Sequence, residues 1–490
     1  MRARLRRVPA AALLCALVAF LNCVVWALVT PTFQVPDETG HVAYLQYLAE
    51  TGNVPNTPGG PGIADEEAGL MDALDFNSTV GRPNELALWS DIQQAAVERT
   101  TRVRPSPDNG GGVIETSAQP PLYYALGALV YHASPWKGLV HRMLILRLMS
   151  ALLASFTVFF VFMFLRELFP AEPWAWTAGA LVVAFQPLFA YLGGAVTPDT
   201  LLFAASAALL LAVSRAFRRG LTPALGLAIG AALAVGFLTK LNFVALLPGA
   251  VLALTLLVWR ADGERRRALA AAGAALGLFA AAAAAYMALN HFVWDRALFG
   301  GGVELAARTA AGETVAAPIT LRDQLSYTWQ LYLPRLPFMQ EQFPYLPPWT
   351  TWFRGFIGHF GWLDARWPVW VYYLALAVWV PLAGLAGAAL VRRRSALRRR
   401  WPELMVYGVM VAGLLGAIGF SGIRFLRESG DTFEQARYLL PFLPFYAAGA
   451  VLAALGAGGR RTRPVAALLV VLAIAHGVFA QLLVIARYYE

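Results

Sequence analysis

The sequence predicts an all-α, polytopic membrane protein of about eleven transmembrane helices with a large first extracytoplasmic loop carrying juxtamembrane helices. Three observations predict it. Of 490 residues, 58% are hydrophobic and 14% charged, with a mean hydropathy of +0.56, which is more apolar surface than an ordinary soluble domain carries. The apolar residues fall in runs of about 20, the length that crosses a bilayer as a helix. Between the runs stand short arginine clusters: Arg215/Arg218/Arg219, Arg260/Arg265/Arg266/Arg267, Arg392/Arg393/Arg394/Arg398/Arg399/Arg400 and Arg460/Arg461/Arg463. They account for the net charge of +10 by the positive-inside rule, so the bilayer is the expected partner and nucleic acid is excluded.

Taken in order, Arg2, Arg4, Arg6 and Arg7 precede an apolar run to Thr30 that has the charge flank of a signal peptide but about twice its length. Residues 1–30 therefore read as an uncleaved signal anchor. Both cysteines, Cys15 and Cys23, lie in this run, so no external disulfide is expected. Residues 31–143 form a polar, acidic outer loop with helical pieces, punctuated by Pro58 to Gly62 and by Asp108 to Gly112. Near its end the apolar piece from Gln119 to His132 is too short to span. Charge parity agrees: read as a juxtamembrane helix, this piece leaves all four arginine clusters on the side of the N-terminus, and read as a span it would put all four outside.

The remaining spans are expected at about 144–165, 173–193, 199–215, 221–238, 241–259 and 268–290, forming the bundle 144–290. A second long outer loop, 291–366, follows, and then four more spans within 367–490, placing the N-terminus inside and the C-terminus outside. The second half does not mirror the first, which argues against an inverted-repeat transporter. The inner side has only short arginine-rich turns and no Gly-rich phosphate loop, so any donor must arrive from the lipid phase or the outer compartment.

The outer side collects the chemistry. Pro36 ends the first helical run, and Asp37 and Glu38 then occupy the cap and first turn of an amphipathic helix through Tyr44, Leu45 and Leu48. Two readings of the acids stay open: helix capping, or a general base at the water–lipid boundary. His41 shares a helix face with Asp37, which predicts a hydrogen bond between them rather than a metal site. Asp199, at the turn after Pro198, reads as a helix start or as a second acid. Lys240 is one of only two lysines in a chain that otherwise uses arginine; it reads as an interfacial residue or a point charge for a phosphate oxygen. Arg437 reads as a snorkelling anchor or as two parallel phosphate donors. The aromatics from Tyr327 to Trp362, Tyr345 among them, read as an interfacial belt in part and as stacking surfaces for sugar in part.

The order of these pieces resembles the GT-C superfamily of integral-membrane glycosyltransferases, which includes protein mannosyltransferases and aminoarabinose lipid A transferases. The resemblance rests on Asp37-Glu38 after the first span, Pro120-Pro121-Leu122-Tyr123-Tyr124 late in the first loop, Asp199, and the turn Leu238-Thr239-Lys240. More narrowly, Pro36-Asp37-Glu38 with His41, Phe360 to Asp364, and Arg437 to Pro441 are similar to a bacterial family of membrane proteins allied to that superfamily. The resemblance implies sugar transfer from a polyprenyl phosphate, with Asp37 as base, in the bacterial inner membrane.

The expectation is therefore an inverting glycosyltransferase using a polyprenyl-phosphate-linked sugar and an unidentified glycan, lipid or protein acceptor outside. Asp37 and Glu38 are the catalytic candidates, Lys240 and Arg437 the phosphate ligands, and His41, Asp199, Tyr123 and Tyr124 the supporting residues. No metal or other cofactor is expected, although Asp37 with Asp199 is a pair that a divalent cation suits. The alternatives are a lipid-linked glycan flippase and a non-catalytic scaffold of envelope assembly.

Overall fold

A computed structural model describes residues 8–57, 59–82, 90–100, 110–300, 319–343, 347–430, 432 and 434–489. The basic flank Arg2 to Arg7, Pro58, Asp108, Asn109 and Tyr345 lie outside the described residues.

Proline and glycine set where the helices stop. The first span, α1 (Ala10–Val29), ends before Pro31, and α2 (Glu38–Thr51) ends at Gly52, which takes the left-handed conformation common at helix C-termini. In the first long loop, α3 (Asp65–Ala73) and α4 (Leu122–Ala133) follow. At twelve residues α4 reaches about 18 Å, short of a bilayer crossing. The bundle continues with α5 (Leu139–Leu168), α6 (Pro173–Ala184) and α7 (Pro187–Gly193), then α8 (Asp199–Arg219), α9 (Pro223–Thr239), α10 (Leu247–Trp259) and α11 (Arg265–Ala288). The second long loop holds α12 (Leu321–Tyr332) and a hairpin, β1 (His359–Phe360) with β2 (Ala365–Arg366). The last four spans are built on α13 (Val369–Arg392), α14 (Trp401–Ser429), α15 (Leu443–Ala457) and α16 (Thr462–Tyr489).

The protein is an all-α membrane protein, with fewer full-length spans than the eleven apolar segments expected. Among the described residues nine helices are long and apolar enough to cross a membrane, or ten if α6 and α7 form one broken span. Those two are bent by 66°, because Pro187 has no N–H for the helical ladder and Gln186 accepts from Phe189 N at 2.6 Å to start a new helix. The eleventh segment, α9, is shorter at 17 residues, bracketed by Pro223 and the extended Lys240.

The core centres on α8. Of its most apolar stretch 83% is buried by protein, against 6% for α13, whose apolar surface is left to face lipid. The arginine clusters converge on one face of the bundle. Glu167 at the end of α5 pairs with Arg215 and Arg219 at the end of α8, Arg218 stands 3.6 Å from Glu403 of α14, and Arg400 donates to the Leu168 carbonyl at 3.2 Å. Asp37, Asp199, Lys240 and Arg437 gather at the opposite ends of these helices.

Candidate active site

The site begins with a backbone irregularity. Asp37 has φ +65°, a left-handed conformation that asparagine and aspartate tolerate better than most residues, and its side chain makes no capping hydrogen bond to α2. The carboxylate turns instead to the Arg437 guanidinium, which lies 400 residues away in sequence. Capping is thus not what Asp37 does here.

Arg437 stands on a 3-10 turn (Ala436–Phe442) that leads into α15. A second acid lies on its other side, with Asp199 Oδ2 3.9 Å from Arg437 Nη1. Lys240, at the end of α9, bonds Asp199 Oδ1 at 2.5 Å. The four groups form an alternating chain Asp37–Arg437–Asp199–Lys240. Its members differ in access: the Asp37 side chain is 32% exposed, whereas Arg437 and Asp199 are 5% and 3% exposed. Two N–H groups of Arg437, at Nε and Nη1, and Asp199 Oδ2 are buried with no hydrogen-bond partner. Such groups cost free energy unless a ligand or water satisfies them.

Burial pushes the Asp37 carboxyl upward, but Arg437 foremost, with His41 and Lys240, outweighs it and holds the group down at about 2. His41 is buried and pushed down to about 3, by burial first and then by Lys240, with Asp37 and Asp199 opposing. It is therefore neutral at ordinary pH. The predicted side-chain bond from His41 to Asp37 is replaced by another: His41 Nδ1 lies 2.9 Å from the Tyr124 hydroxyl, and only the backbone links His41 N to Asp37 O, at 3.0 Å. Tyr124 stacks on Tyr44 with ring centroids 3.8 Å apart, and the Tyr123 hydroxyl lies 2.7 Å from Ser150 Oγ. The two tyrosines of α4 thus clamp α2 against α5 from behind the charges. Gly40 permits this packing at the front of α2. A Cβ there would come 3.1 Å from the Thr116 methyl, while Thr116 Oγ1 donates to Gly40 O at 2.8 Å.

Glu38 sits elsewhere than expected. It is fully buried, and Arg147 of α5 holds it with two bonds, Nε to Oε1 at 2.9 Å and Nη2 to Oε2 at 2.6 Å. Backbone N–H groups fill the remaining sides, Val196 N on Oε1 at 2.9 Å and Phe33 N on Oε2 at 3.1 Å. Arg147 in turn donates to the carbonyls of Ala27, Thr30 and Pro31. Each carboxylate oxygen already accepts twice, so Glu38 has no open position for an acceptor hydroxyl, which speaks against the catalytic role expected of it.

The hairpin supplies the far wall. Its turn is drawn tight by Gly361 at φ +60°, where a Cβ would meet Asp364 Oδ1 at 2.2 Å. Asp364 is held by Arg487 of α16 at 2.8 Å, and Trp362 Nε1 donates to the Phe33 carbonyl at 3.0 Å. The motif Phe360 to Asp364 therefore pins the loop of Asp37 to the last helix, and Phe360 packs at 5.2 Å on Trp26 rather than offering a face to sugar. Beside Arg437 a cleft opens, walled by Pro36, Tyr191, Thr351, His359, Arg366 and Glu434.

Comparison with known proteins adds a family. The sequence profile described as "Predicted membrane protein (DUF2142)" matches residues 20–446, most of the chain. The chain belongs to the DUF2142 family. No curated protein matches it. Among solved structures it is similar to ArnT from Cupriavidus metallidurans bound to undecaprenyl phosphate, with 15% identity, 90% of this chain and 59% of that chain covered, and a TM-score of 0.41. It is also similar to the oligosaccharyltransferase AglB from Archaeoglobus fulgidus in complex with an inhibitory peptide and a dolichol-phosphate, with 12% identity, 97% and 56% coverage, and a TM-score of 0.47. The chain thus spans less than two thirds of the length of either. Within the DUF2142 match lie Asp37, Asp199, Lys240 and Arg437, whereas Arg487, which fixes the hairpin, lies beyond it.

Sequence reasoning missed Arg147 as the partner of Glu38 and missed the cleft residues His359, Arg366 and Glu434. The one signal for Arg147 was its position, a charge inside an apolar run, which requires a partner. Among the described residues no cluster of three or more His, Cys, Asp or Glu has the arrangement of a metal site.

Proposed function

We propose that this protein transfers a sugar from a polyprenyl phosphate to an acceptor hydroxyl on the outer side of a bacterial inner membrane, a reaction of the GT-C kind. One observation carries the reading: a buried arginine with two unpartnered N–H groups stands between the half-buried Asp37 and the pair Asp199–Lys240. A phosphate fits there, because its oxygens satisfy those donors and add charge beside two cations.

The resting pair also explains how the base is switched on. A carboxyl held at about 2 is a weak base. When the donor phosphate engages Arg437, it draws the guanidinium from Asp37, and the carboxyl pKa rises toward its ordinary value. Asp37 then takes the acceptor's O–H proton as that oxygen bonds to the anomeric carbon. The bond from this carbon to the phosphate oxygen breaks on the opposite face, giving inversion. Polyprenyl phosphate leaves with the electron pair, its charge stabilised by Arg437 and Lys240. The cations do this work in the proposal, so a divalent metal is not required, and transfer should persist in excess EDTA.

The test is radiolabelled-sugar transfer from polyprenyl phosphate by the purified full chain, with Arg437→Gln alongside. Loss of transfer with retained folding supports the reading, and wild-type transfer by Arg437→Gln overturns it. The orientation is tested separately: reporter fusions after Arg394 and Glu490 should read inside and outside, respectively. An outside Arg394 reverses the proposed topology.

A further inference from the structure

On the face opposite the candidate active site, a cavity of about 550 Å³ lies among the ends of α6, α13, α15 and α16. Arg393, Arg460 and Arg463 line it, together with Thr462, Gly459 and one acid, Glu172. Elsewhere on this face, Arg215 and Arg219 share Glu167, Arg218 stands beside Glu403, and Arg392 donates to the Gly456 carbonyl. The three cavity arginines line one concavity together, and none of them makes an ion pair among the described residues. Glu172 offsets only one of the three charges, and its carboxylate accepts from Trp174 Nε1 at 2.7 Å. The cavity is thus a concave cluster of three exposed guanidiniums at the level where the spans end.

Trp174 belongs to a second feature as well. The same ring walls an apolar groove between α6, α15 and α16, lined by Ala178, Gly179, Ala450, Ala454 and Leu469. The groove is shallow, exists because small residues meet there, and shares Trp174 with the charged cavity. Tryptophan at the junction of a charged and an apolar compartment is the pattern of a membrane interface.

We propose that this cavity and groove bind one anionic phospholipid, with its phosphate on Arg393, Arg460 and Arg463 and an acyl chain along the groove. The charge selects an anionic headgroup over a zwitterionic one, because each cation near an anionic lipid contributes independently to the attraction. The groove selects a lipid over a free phosphate, which has nothing to place there. The site is distinct from the donor site, which lies at the other ends of the helices, and does not depend on the reaction proposed for it.

The test is native mass spectrometry of the detergent-purified full chain titrated with phosphatidylglycerol, phosphatidylcholine or glycerol 1-phosphate. Wild type should retain one phosphatidylglycerol in preference to phosphatidylcholine. The triple variant R393Q/R460Q/R463Q, altered only at exposed positions, should lose about 100-fold in phosphatidylglycerol affinity, as expected for three surface cations. Ala450→Phe, which fills the groove at a half-buried position, should weaken phosphatidylglycerol and leave glycerol 1-phosphate unchanged. Equal retention of the two lipids, or an unaltered triple variant, overturns the proposal. Glycerol 1-phosphate binding as tightly as phosphatidylglycerol also overturns it, making the cavity a small-anion site.

Discussion

Asp37 and Glu38 are neighbours in sequence and nearly the same in chemistry, yet they belong to opposite kinds of ion pair. Glu38 lies at 0% exposure with each oxygen bonded twice, and its partner Arg147 spends its remaining donors on three carbonyls. Asp37 is 32% exposed, its Arg437 has two donors without partners, and the next acid in the chain lies at 3.9 Å. A saturated pair fixes geometry, because removing either partner strands a buried charge. An unsaturated one can exchange partners, which is what binding and proton transfer need. Satisfaction, rather than charge or burial, separates scaffold from site in this molecule.

The strongest way to break the comparison is Asp37→Asn, which keeps the shape and removes the basicity. Sugar transfer at matched protein levels should fall by about 10²–10⁴-fold with the fold retained. Normal turnover would reduce Asp37 to a surface charge.

Glu38→Gln should fail differently. It leaves Arg147 buried and uncompensated, so unfolding should become easier by about 3–5 kcal/mol, visible as a lower thermal midpoint and poorer yield. Adding Arg147→Met should recover part of the stability, since the stranded charge is then gone. Should Glu38→Gln be as stable as wild type yet inactive, the two acids would have to exchange roles.

Lys240→Ala sharpens the picture from the other end of the chain of charges. Losing one charged hydrogen bond should weaken donor affinity by about 10- to 100-fold. Lys240→Arg should recover part of it, since charge is kept while reach and hydration differ. Unchanged donor affinity in Lys240→Ala would confine the phosphate site to Arg437.

The last comparison concerns pH. His41 is pushed down from 6.5 to about 3 in the folded protein, so it stays neutral there while the unfolded chain takes up a proton. Its contribution to stability is complete above pH 6.5 and is lost as pH falls from 6.5 toward 3. Thermal midpoints measured across that window should fall less steeply in His41→Gln, which keeps a partner for Tyr124 and does not titrate. An identical slope in both proteins would mean that other groups set the acid limit.

Much of the fold was legible in the sequence, because hydropathy runs and arginine clusters are local signals. The runs locate every apolar helix of the bundle, and the cluster Arg215/Arg218/Arg219 meets Glu167 and Glu403 at the helix ends. Composition also marked Asp37, Asp199, Lys240 and Arg437 as polar residues at the helix ends. Hydropathy could not tell a straight span from the 66° break at Pro187, since it registers apolarity and not direction.

What only the tertiary structure decided is which partner each charge keeps. Arg147 lies 109 residues from Glu38 and Arg437 lies 400 from Asp37, separations at which no periodicity or spacing connects two positions. The same holds for the motif at Phe360, whose rings read as an interfacial belt or as stacking surfaces for sugar, whereas the fold packs Phe360 against Trp26 and Tyr191 and Trp362 against Phe76. A sequence records that a charge must be satisfied in the apolar phase, because burying it alone is too costly. Which group satisfies it, and which donors are left open for a ligand, depends on helices that meet only when the chain is folded.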